Sequence, residues 1–184
     1  LKPKHAPLIA LHHKHKSRFG RRYVMKTLAT LGSKNQIRTF RTGQRDKDIE
    51  VAYYAAIGLI KTTKSPQALE IVFSRCLEDW IELNEELARI LGTIRHSDFL
   101  PWIAEKLQSE ESHDCVTALR LMRFLAPSEG KDMVRPFLDS DHFLVKKAAV
   151  NTLRVIVDGA PALPLKKITV FMIIKLAKDW KTRL

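Results

Sequence analysis

The sequence predicts an all-α protein built from repeated pairs of helices, and three observations lead to this prediction. Glycine and proline account for only 7 and 8 of the 184 residues, whereas a sandwich or barrel needs many glycine-rich turns. A nine-residue pattern that ends in leucine occurs four times. Acidic residues that suit the start of a helix precede each copy of the pattern. Helices that recur at a regular interval explain all three features.

The clearest copy lies in residues 139–156, DSDHFLVKKAAVNTLRVI. Asp139 and Asp141 are expected to cap the start of a helix. Apolar residues then recur at three- and four-residue steps, the spacing of one buried helical face. They are Val145, Ala148, Ala149, Val150, Leu153 and Ile156. The stretch is therefore predicted to be the inner helix of a two-helix unit.

The chain in front of the repeats is predicted to hold a basic, His-rich arm and one helix. Pro3 and Pro7 interrupt residues 1–16, so this arm is expected to be extended. The first helix is predicted from about residue 17 to residue 31, ending at Gly32. Residues 17–184 are predicted to form the helical array, with repeats near 33–60, 65–92, 97–126 and 128–157 and a partial repeat at 161–184.

The four copies are spaced at 32, 30 and 32 residues, because their final leucines stand at positions 59, 91, 121 and 153. Each copy carries alanine at its centre, which lets helix backbones approach to about 8–10 Å. Between the copies, Ser65-Pro66, Ser97-Asp98 and Ser128 suggest the starts of partner helices. Pro101 and Pro136 are expected to bend those helices. A helix pair that repeats about every 31 residues is typical of a helical solenoid.

Two copies resemble the inner helix of a HEAT repeat. Residues 48–59 (DIEVAYYAAIGL) and 141–153 (DHFLVKKAAVNTL) share its aspartate, valine, alanine pair and leucine, and Lys146 stands where that family often has a basic residue. The resemblance covers about residues 46–156, the middle two copies matching mainly in spacing. It implies a right-handed, armadillo-like α-α superhelix of about four HEAT-like hairpins. More loosely, an arm with SRFGRR ahead of such repeats is similar to bacterial membrane-anchored HEAT-repeat proteins.

The resemblance also implies that a partner protein binds in a groove lined by the inner helices. Polar positions of those helices are therefore the candidates for partner contacts, although an ordinary solvated face explains them equally well. The candidates are Tyr53, Asn84, Glu85, Arg89, Asp114, Arg120, Lys146, Lys147, Asn151 and Arg154.

Charge is distributed unevenly along the chain, whose formal net charge is +12. Residues 1–45 contain twelve Lys or Arg residues and no acidic residue, whereas residues 46–160 carry a net charge of −5 and residues 161–184 one of +5. An acid-free basic segment is suited to anionic lipid headgroups or to nucleic-acid phosphates, and also to a solubilising tail or the remnant of a leader. Phe19, Tyr23 and Phe40 lie among these cations and are expected to point into the core. The candidates for contact with an anionic surface are Lys14, Lys16, Arg18, Arg21 and Arg22.

No catalytic, cofactor or metal site is predicted from the sequence. The histidine group at positions 5, 12, 13 and 15 lies in the arm and lacks the rigid frame of a selective metal site. Cys76 and Cys115 are far apart, lack CxxC spacing and are expected to be buried free thiols. Alkylpurine DNA glycosylases, an enzyme family of HEAT-like repeats, remain an alternative. The residues that this alternative would use are Trp80, Arg95, Asp98 and Trp102.

The C-terminal residues form a helix that is predicted to be apolar almost all round. An end-capping helix of a solenoid needs a polar outer face. A second subunit, further chain or tight internal packing are the alternatives for covering it. The residues of this possible contact end are Phe171, Ile174 and Trp180.

These features predict a non-enzymatic protein-interaction scaffold whose basic arm attaches to an anionic membrane surface or partner. Self-association is a further expectation, and the alternative function is an RNA- or DNA-associated protein, such as a ribonucleoprotein component. The longest apolar run, residues 168–174, is too short to span a bilayer. A cytoplasmic location is expected, with peripheral membrane attachment or an anchor in a segment upstream of Leu1 as the variants.

Overall fold

The computed structural model describes residues 2–63, 65–78, 100–125, 130–163 and 168–184. Every regular element in these ranges is a helix, and none of them contains a strand. The predicted all-α class is therefore confirmed for the part of the chain that the structure describes.

The described residues form ten α-helices, which we label α1 to α10. They are α1 (Ala6–Ala10), α2 (Arg18–Leu31), α3 (Ile37–Gly43), α4 (Ile49–Thr63), α5 (Pro66–Glu78), α6 (Leu100–Leu107), α7 (Ser112–Leu125), α8 (Gly130–Val134), α9 (Phe143–Ile156) and α10 (Val170–Arg183). Short 3-10 turns occur at Pro3–His5, Lys34–Gln36 and Arg135–Asp139.

The chain divides into two compact units, Leu1–Asp79 and Trp80–Leu184, which we call the N-terminal and C-terminal units. The N-terminal unit has 16 basic and 6 acidic residues, a net charge of +10. The C-terminal unit has 16 basic and 14 acidic residues, a net charge of +2. Almost all the excess positive charge of the protein therefore belongs to the N-terminal unit.

Helix α4 is the centre of the N-terminal unit, because it packs against α2, α3 and α5. Its residues 51–60 are buried except for Tyr54. Close approach is possible where small residues meet large ones. A Cβ atom added to Gly58 would lie 2.4 Å from Cε1 of the buried Phe40, and one added to Gly43 would lie 2.9 Å from Cβ of Ala55. The alanines and glycine of the first repeat copy thus allow the neighbouring helices to pack tightly on α4.

Helix α9 has the corresponding place in the C-terminal unit, where it packs against α7, α8, α10 and the turn Arg135–Asp139. Val150 and Leu153 of α9 are buried with Leu119 and Met122 of α7. Within each unit, the central helix packs on helices that are close to it in the sequence, an arrangement typical of helical repeats.

The copies at 51–59, 113–121 and 145–153 lie in α4, α7 and α9, as predicted. The copy at 83–91 and the serine cap positions 97 and 128 lie outside the described residues.

The structure confirms the predicted limits of the first helix and corrects one predicted cap. Helix α2 follows Ser17 and ends at Gly32, whose φ of 61° suits glycine. Asp48 caps α4, because its Oδ1 accepts hydrogen bonds from the backbone N–H groups of Glu50 and Val51 at 3.1 and 3.2 Å. The prediction that Asp139 and Asp141 cap α9 is wrong. Helix α9 begins at Phe143, so the N-cap position belongs to His142, whose side chain makes no cap bond.

Proline positions explain two features of the helices. Helix α8 ends at Val134 and the chain continues as the 3-10 turn Arg135–Asp139, which contains Pro136. Since proline has no N–H to donate, the α-helical hydrogen-bond ladder cannot continue through it. The predicted bend at Pro136 is thus a change of helix type. Pro101 is the second residue of α6, where its missing N–H costs no helical bond.

The expectation of an extended N-terminal arm is wrong for residues 3–10. Pro3–His5 form a 3-10 turn and Ala6–Ala10 form α1. Pro3 and Pro7 lie at the first positions of these elements, where proline is compatible with a helix. Ala6 is fully buried, and α1 packs against α2 and the turn Lys34–Gln36. The arm is thus part of the N-terminal unit.

Among the residues that the structure describes, no helix is both long enough and apolar enough to cross a bilayer.

Candidate functional site

Two of the predicted anion-binding arginines make ion pairs inside the N-terminal unit. Arg21 donates from Nε and Nη2 to the carboxylate of Asp46 at 2.7 and 3.0 Å. Arg22 donates from Nε and Nη2 to Asp48 at 2.8 and 2.7 Å. Both pairs are bidentate, a geometry that fixes the orientation of both partners. They connect the first turn of α2 to the residues that start α4.

The ion pairs lower the pKa of both aspartates. Hydrogen bonding to Arg21 lowers the pKa of Asp46, and hydrogen bonding to Arg22 lowers that of Asp48. A carboxyl group whose pKa is lowered in the folded state stabilises the fold above its unfolded pKa of about 4. This stabilisation disappears as pH falls through the lowered folded pKa.

We therefore expect the free energy of unfolding to decrease as pH falls below about 4, and to do so less in the variant D46N/D48N. The variant should be less stable than the wild type at pH 7, with the difference shrinking towards low pH. Urea unfolding followed by circular dichroism at a series of pH values measures this. D132N is the matched control, because Asp132 is exposed. Parallel curves for wild type and D46N/D48N would contradict the assigned ion pairs.

The other three predicted anion-binding residues face solvent. Lys14, Lys16 and Arg18 are exposed, just before and at the start of α2. The structure therefore divides the five candidates into two arginines that stabilise the fold and three cations that are accessible to a partner.

The expectation that the N-terminal aromatic residues point into the core is wrong for two of the three. Phe40 is fully buried, but Phe19 and Tyr23 are exposed. Phe19 and Tyr23 stand four residues apart and so share one face of α2. The opposite face, with Met25 and Leu28, is the buried one. The α2 sequence thus contains two apolar faces, of which only one packs inside the unit.

Phe19 is also bracketed by cations. The guanidinium carbon of Arg18 lies 5.0 Å from the Phe19 ring centroid and that of Arg22 lies 5.6 Å from it. Both distances are within the range of cation–π attraction. An exposed ring is thereby held next to two positive charges.

Three of the predicted groove residues are buried. Tyr53 is buried and packs edge to face on Tyr54, with ring centroids 5.2 Å apart. Asn151 is buried, and its Oδ1 accepts a hydrogen bond from the backbone N–H of Leu163 at 2.9 Å. Lys147 is buried, and its pKa is lowered by desolvation. Asn84, Glu85 and Arg89 lie outside the described residues.

The remaining groove candidates are half-buried. Asp114 accepts a hydrogen bond from Ser109 Oγ at 2.9 Å, and Arg154 donates to the carbonyl oxygen of Pro161 at 2.8 Å. Arg120 and Lys146 are likewise half-buried. These residues lie on α7 and α9, two helices that pack against each other. Asp114 and Arg154 thus form hydrogen bonds with nearby residues of the C-terminal unit.

A polar cluster that sequence reasoning missed lies between α7 and α9. Arg123 Nε donates to Thr152 Oγ1 at 3.1 Å, and the Thr152 hydroxyl lies 2.8 Å from the carbonyl oxygens of Leu119 and Ala148. Desolvation and the nearby charge of Arg120 lower the pKa of Arg123 to about 9, which leaves it positively charged at neutral pH. The sequence feature that could have revealed it is an arginine next to the apolar face of α7.

Cys115, His5 and His15, whose side chains could act as nucleophiles or metal ligands, make local contacts. Cys115 is buried, with Sγ 3.2 Å from the carbonyl oxygen of Ser109, and burial together with Asp114 raises its thiol pKa. The prediction of a buried thiol is confirmed for Cys115, whereas the Cys76 side chain lies outside the described part. His5 and His15 accept backbone N–H bonds through Nδ1, each at 3.1 Å. In the described ranges, no three His, Cys, Asp or Glu side chains are grouped to hold a metal ion.

Of the residues that the glycosylase alternative would use, the structure describes Trp102. Its ring lies 5.7 Å from the ammonium group of Lys106, four residues further along α6. Trp80, Arg95 and Asp98 lie outside the described residues.

Helix α10 has a packed face and an exposed apolar face. Ile173, Ala177 and Trp180 are buried, so Trp180 belongs to the core of the C-terminal unit. Arg183 stacks on the Trp180 ring at 4.1 Å. The exposed apolar residues are Val170, Phe171, Met172 and Ile174, and we call them the α10 patch. Two of the three predicted contact residues, Phe171 and Ile174, thus face solvent.

The fold and these surfaces define an all-α helical protein with an exposed basic and aromatic region on α2 and an apolar patch on α10. No protein-family model matches the chain, and no curated protein shows significant similarity to it. The two surfaces are therefore the features of this protein that bear on its function.

Proposed function

We propose that the protein is a non-enzymatic protein-interaction scaffold of HEAT-like repeats, which binds a partner protein through the α10 patch. The observation that carries this proposal is the exposure of four apolar side chains within residues 170–174 of α10. Phe171 is 84% exposed, although the other face of the same helix is packed in the core. Exposed apolar clusters on folded proteins mark interaction sites more often than isolated apolar residues do.

The packing of the inner helices supports the HEAT-like assignment. Ala55 and Ala56 of α4 and Ala148 and Ala149 of α9 are all buried. Helix α4 packs against α2, α3 and α5, and helix α9 packs against α7, α8 and α10. Small residues at these positions are what a stacked array of helix pairs requires. Arrays of this kind provide extended surfaces for partner proteins.

The roles of the polar side chains favour binding over catalysis. Arg123, Thr152 and Asn151 make hydrogen bonds that connect helices and loops. The buried thiol of Cys115 has a raised pKa, which disfavours the reactive thiolate. These side chains therefore have structural tasks that account for their presence without a reaction.

The second part of the proposal is attachment to an anionic surface through the N-terminal unit. The exposed cations Lys14, Lys16 and Arg18 support it, as does the net charge of +10 on that unit. An RNA- or DNA-associated protein is the second candidate, and the exposure of Phe19 and Tyr23 next to these cations favours it. Exposed rings beside cations are what single-stranded nucleic acids stack on.

The scaffold proposal is tested by placing a photo-crosslinking residue at position 171 in cells that express the protein. We expect one cross-linked partner protein, which mass spectrometry identifies and which then binds the purified chain in calorimetry. The variant F171S/I174S should weaken that binding by about tenfold or more. K178S is the matched control, because Lys178 is an exposed polar residue of the same helix.

Light scattering on the purified chain tests whether the partner is a second copy of the same chain. A concentration-dependent dimer that F171S/I174S abolishes would support self-association through the α10 patch. A strict monomer that also forms no cross-linked product at position 171 would contradict the proposal.

A further inference from the structure

Four large apolar side chains are exposed among residues 2–23. Leu8 and Leu11, in and just after α1, are 66% and 75% exposed. Phe19 and Tyr23, on α2, are 61% and 77% exposed. The opposite faces of these two helices are buried, as Ala6 and Met25 show. The orientation of α1 and α2 therefore presents these four apolar side chains to solvent.

The charge around these side chains is positive. Residues 1–45 contain no aspartate or glutamate. Lys4, Lys14, Lys16 and Arg18 are exposed beside or between the four apolar side chains in the sequence. The first acidic residues of the chain, Asp46 and Asp48, are neutralised by Arg21 and Arg22. The net field of the region is therefore positive.

We propose that α1 and the first two turns of α2 form a membrane-docking surface for anionic bilayers. On this proposal Leu8, Leu11, Phe19 and Tyr23 insert into the boundary between headgroups and acyl chains. The exposed lysines and Arg18 bind the anionic headgroups. Buried apolar area and attraction to anionic lipid are the two contributions that hold interfacial helices on membranes. This inference deepens the anionic attachment proposed above and does not depend on the α10 patch.

The two leucines favour a bilayer over a nucleic acid. Aromatic rings contribute to either ligand, because they stack on bases and also insert at membrane interfaces. An aliphatic side chain has no π face to stack on a base. Its transfer from water into hydrocarbon, by contrast, is favourable. Leu8 in α1 and Leu11 just after it are exposed, so a ligand that contacts α1 has to accommodate them. A lipid bilayer does so, and a phosphodiester chain gains nothing from them.

Co-sedimentation with lipid vesicles tests the proposal on the full chain. The vesicles are pure phosphatidylcholine, or phosphatidylcholine with about one third phosphatidylglycerol, which is anionic. We expect binding to the anionic vesicles alone at low salt. The variant L8S/L11S should bind about tenfold less strongly, because it lacks the inserted side chains. The variant K14Q/K16Q should bind more weakly at low salt and lose less affinity as salt is added.

Two controls separate a loss of docking from a loss of structure. The variant F171S/I174S removes exposed apolar residues of the other unit, and it should bind vesicles like the wild type. Circular dichroism should show wild-type helix content for L8S/L11S, since both leucines are largely exposed. A deletion of residues 1–22 would not separate the two effects, because it would also break the ion pairs of Arg21 with Asp46 and of Arg22 with Asp48.

Insertion itself is measured with the variant L11W against the wild type, because the chain already contains three tryptophans. The additional fluorescence of L11W should shift to shorter wavelength with anionic vesicles and be quenched by lipids with brominated acyl chains. F171W is the matched control and should show neither change. The same titration with a short single-stranded RNA should leave the fluorescence of L11W unchanged.

The proposal is overturned if L8S/L11S binds anionic vesicles as strongly as the wild type, or if the wild type binds no vesicles at all. It is also overturned if RNA binds more strongly than vesicles with a steep salt dependence, which would establish the nucleic-acid alternative. The α10 cross-linking experiment reports on the scaffold separately. A failure of vesicle binding leaves the cross-linking result unchanged. A failure of cross-linking likewise leaves the vesicle result unchanged.

Discussion

Replacing Ala55 by glutamate is expected to lower the melting temperature of the protein by about 10 °C or more. Ala55 is fully buried in the middle of α4. Its Cβ faces the backbone of α3, since a Cβ atom added to Gly43 would lie only 2.9 Å away. A glutamate here has neither room nor a partner for its carboxylate. An unpaired buried charge costs about 3–5 kcal/mol of stability, and each kcal/mol corresponds to about 2–4 °C in a chain of this size.

The matched control for A55E is T63E, because Thr63 is exposed in the same helix. It should change stability by no more than about 0.5 kcal/mol. The thermal melt is followed by circular dichroism at the helix band. Equal melting temperatures for A55E and T63E would show that α4 is not the packed inner helix, and the repeat assignment would then be abandoned.

The corresponding substitution A148E probes the C-terminal unit in the same way. Ala148 is buried in α9, and its carbonyl oxygen accepts the Thr152 hydroxyl at 2.8 Å. We expect a loss of similar size, because the glutamate would enter the interface between α7 and α9. Measuring both variants tests the small inner-helix residues of each unit independently.

Replacing Gly58 by alanine is expected to destabilise the protein, although glycine inside a helix normally costs about 1 kcal/mol relative to alanine. Helix propensity alone thus predicts a stabilised variant. The structure predicts the opposite, because the new Cβ atom would lie 2.4 Å from Cε1 and 2.6 Å from Cδ1 of Phe40. Phe40 is fully buried, and a ring in a close-packed interior can move only if its neighbours also move.

We expect G58A to lose about 2 kcal/mol of unfolding free energy and G58L to lose about 4 kcal/mol or more. Chemical denaturation measures both values. The variant F40L shortens the opposing side chain, so G58A should be less harmful in the F40L background than in the wild type. That difference in a double-mutant cycle identifies the contact with Phe40 as the cause. A G58A protein that is more stable than the wild type would contradict the described packing of α3 on α4.

Local features of the sequence were sufficient to predict where α2 ends and where α4 starts. The end of α2 at Gly32 follows from the left-handed conformation that glycine adopts without strain. The start of α4 follows from Asp48, which caps it with its carboxylate. Such features act over three or four residues, so they are readable without knowledge of the rest of the chain. The cap prediction at Asp139 and Asp141 failed because several polar residues compete for one helix start, and packing decides among them.

The surfaces were harder to predict than the helices. Phe19 and Tyr23 repeat with a helical period, just as Met25 and Leu28 do, and the period alone does not say which set is buried. Contacts of α2 with α4 bury the second set and leave the first in solvent. The arm around Leu8 was predicted to be extended because prolines break helices, but these prolines occupy the first turns, where they are tolerated.

The sequence by itself determined the all-α class, the regular recurrence of the inner-helix pattern and the concentration of positive charge in the first 45 residues. These properties depend on composition and on spacing between near neighbours. The tertiary structure decided which residues are accessible. Arg21 and Arg22 became structural because α4 brings Asp46 and Asp48 to them across about 25 positions of chain. Leu8 and Phe171 became surface residues because the cores of their units are filled by other side chains. Pairing and exposure depend on contacts between distant segments, and such contacts exist only once the helices have packed.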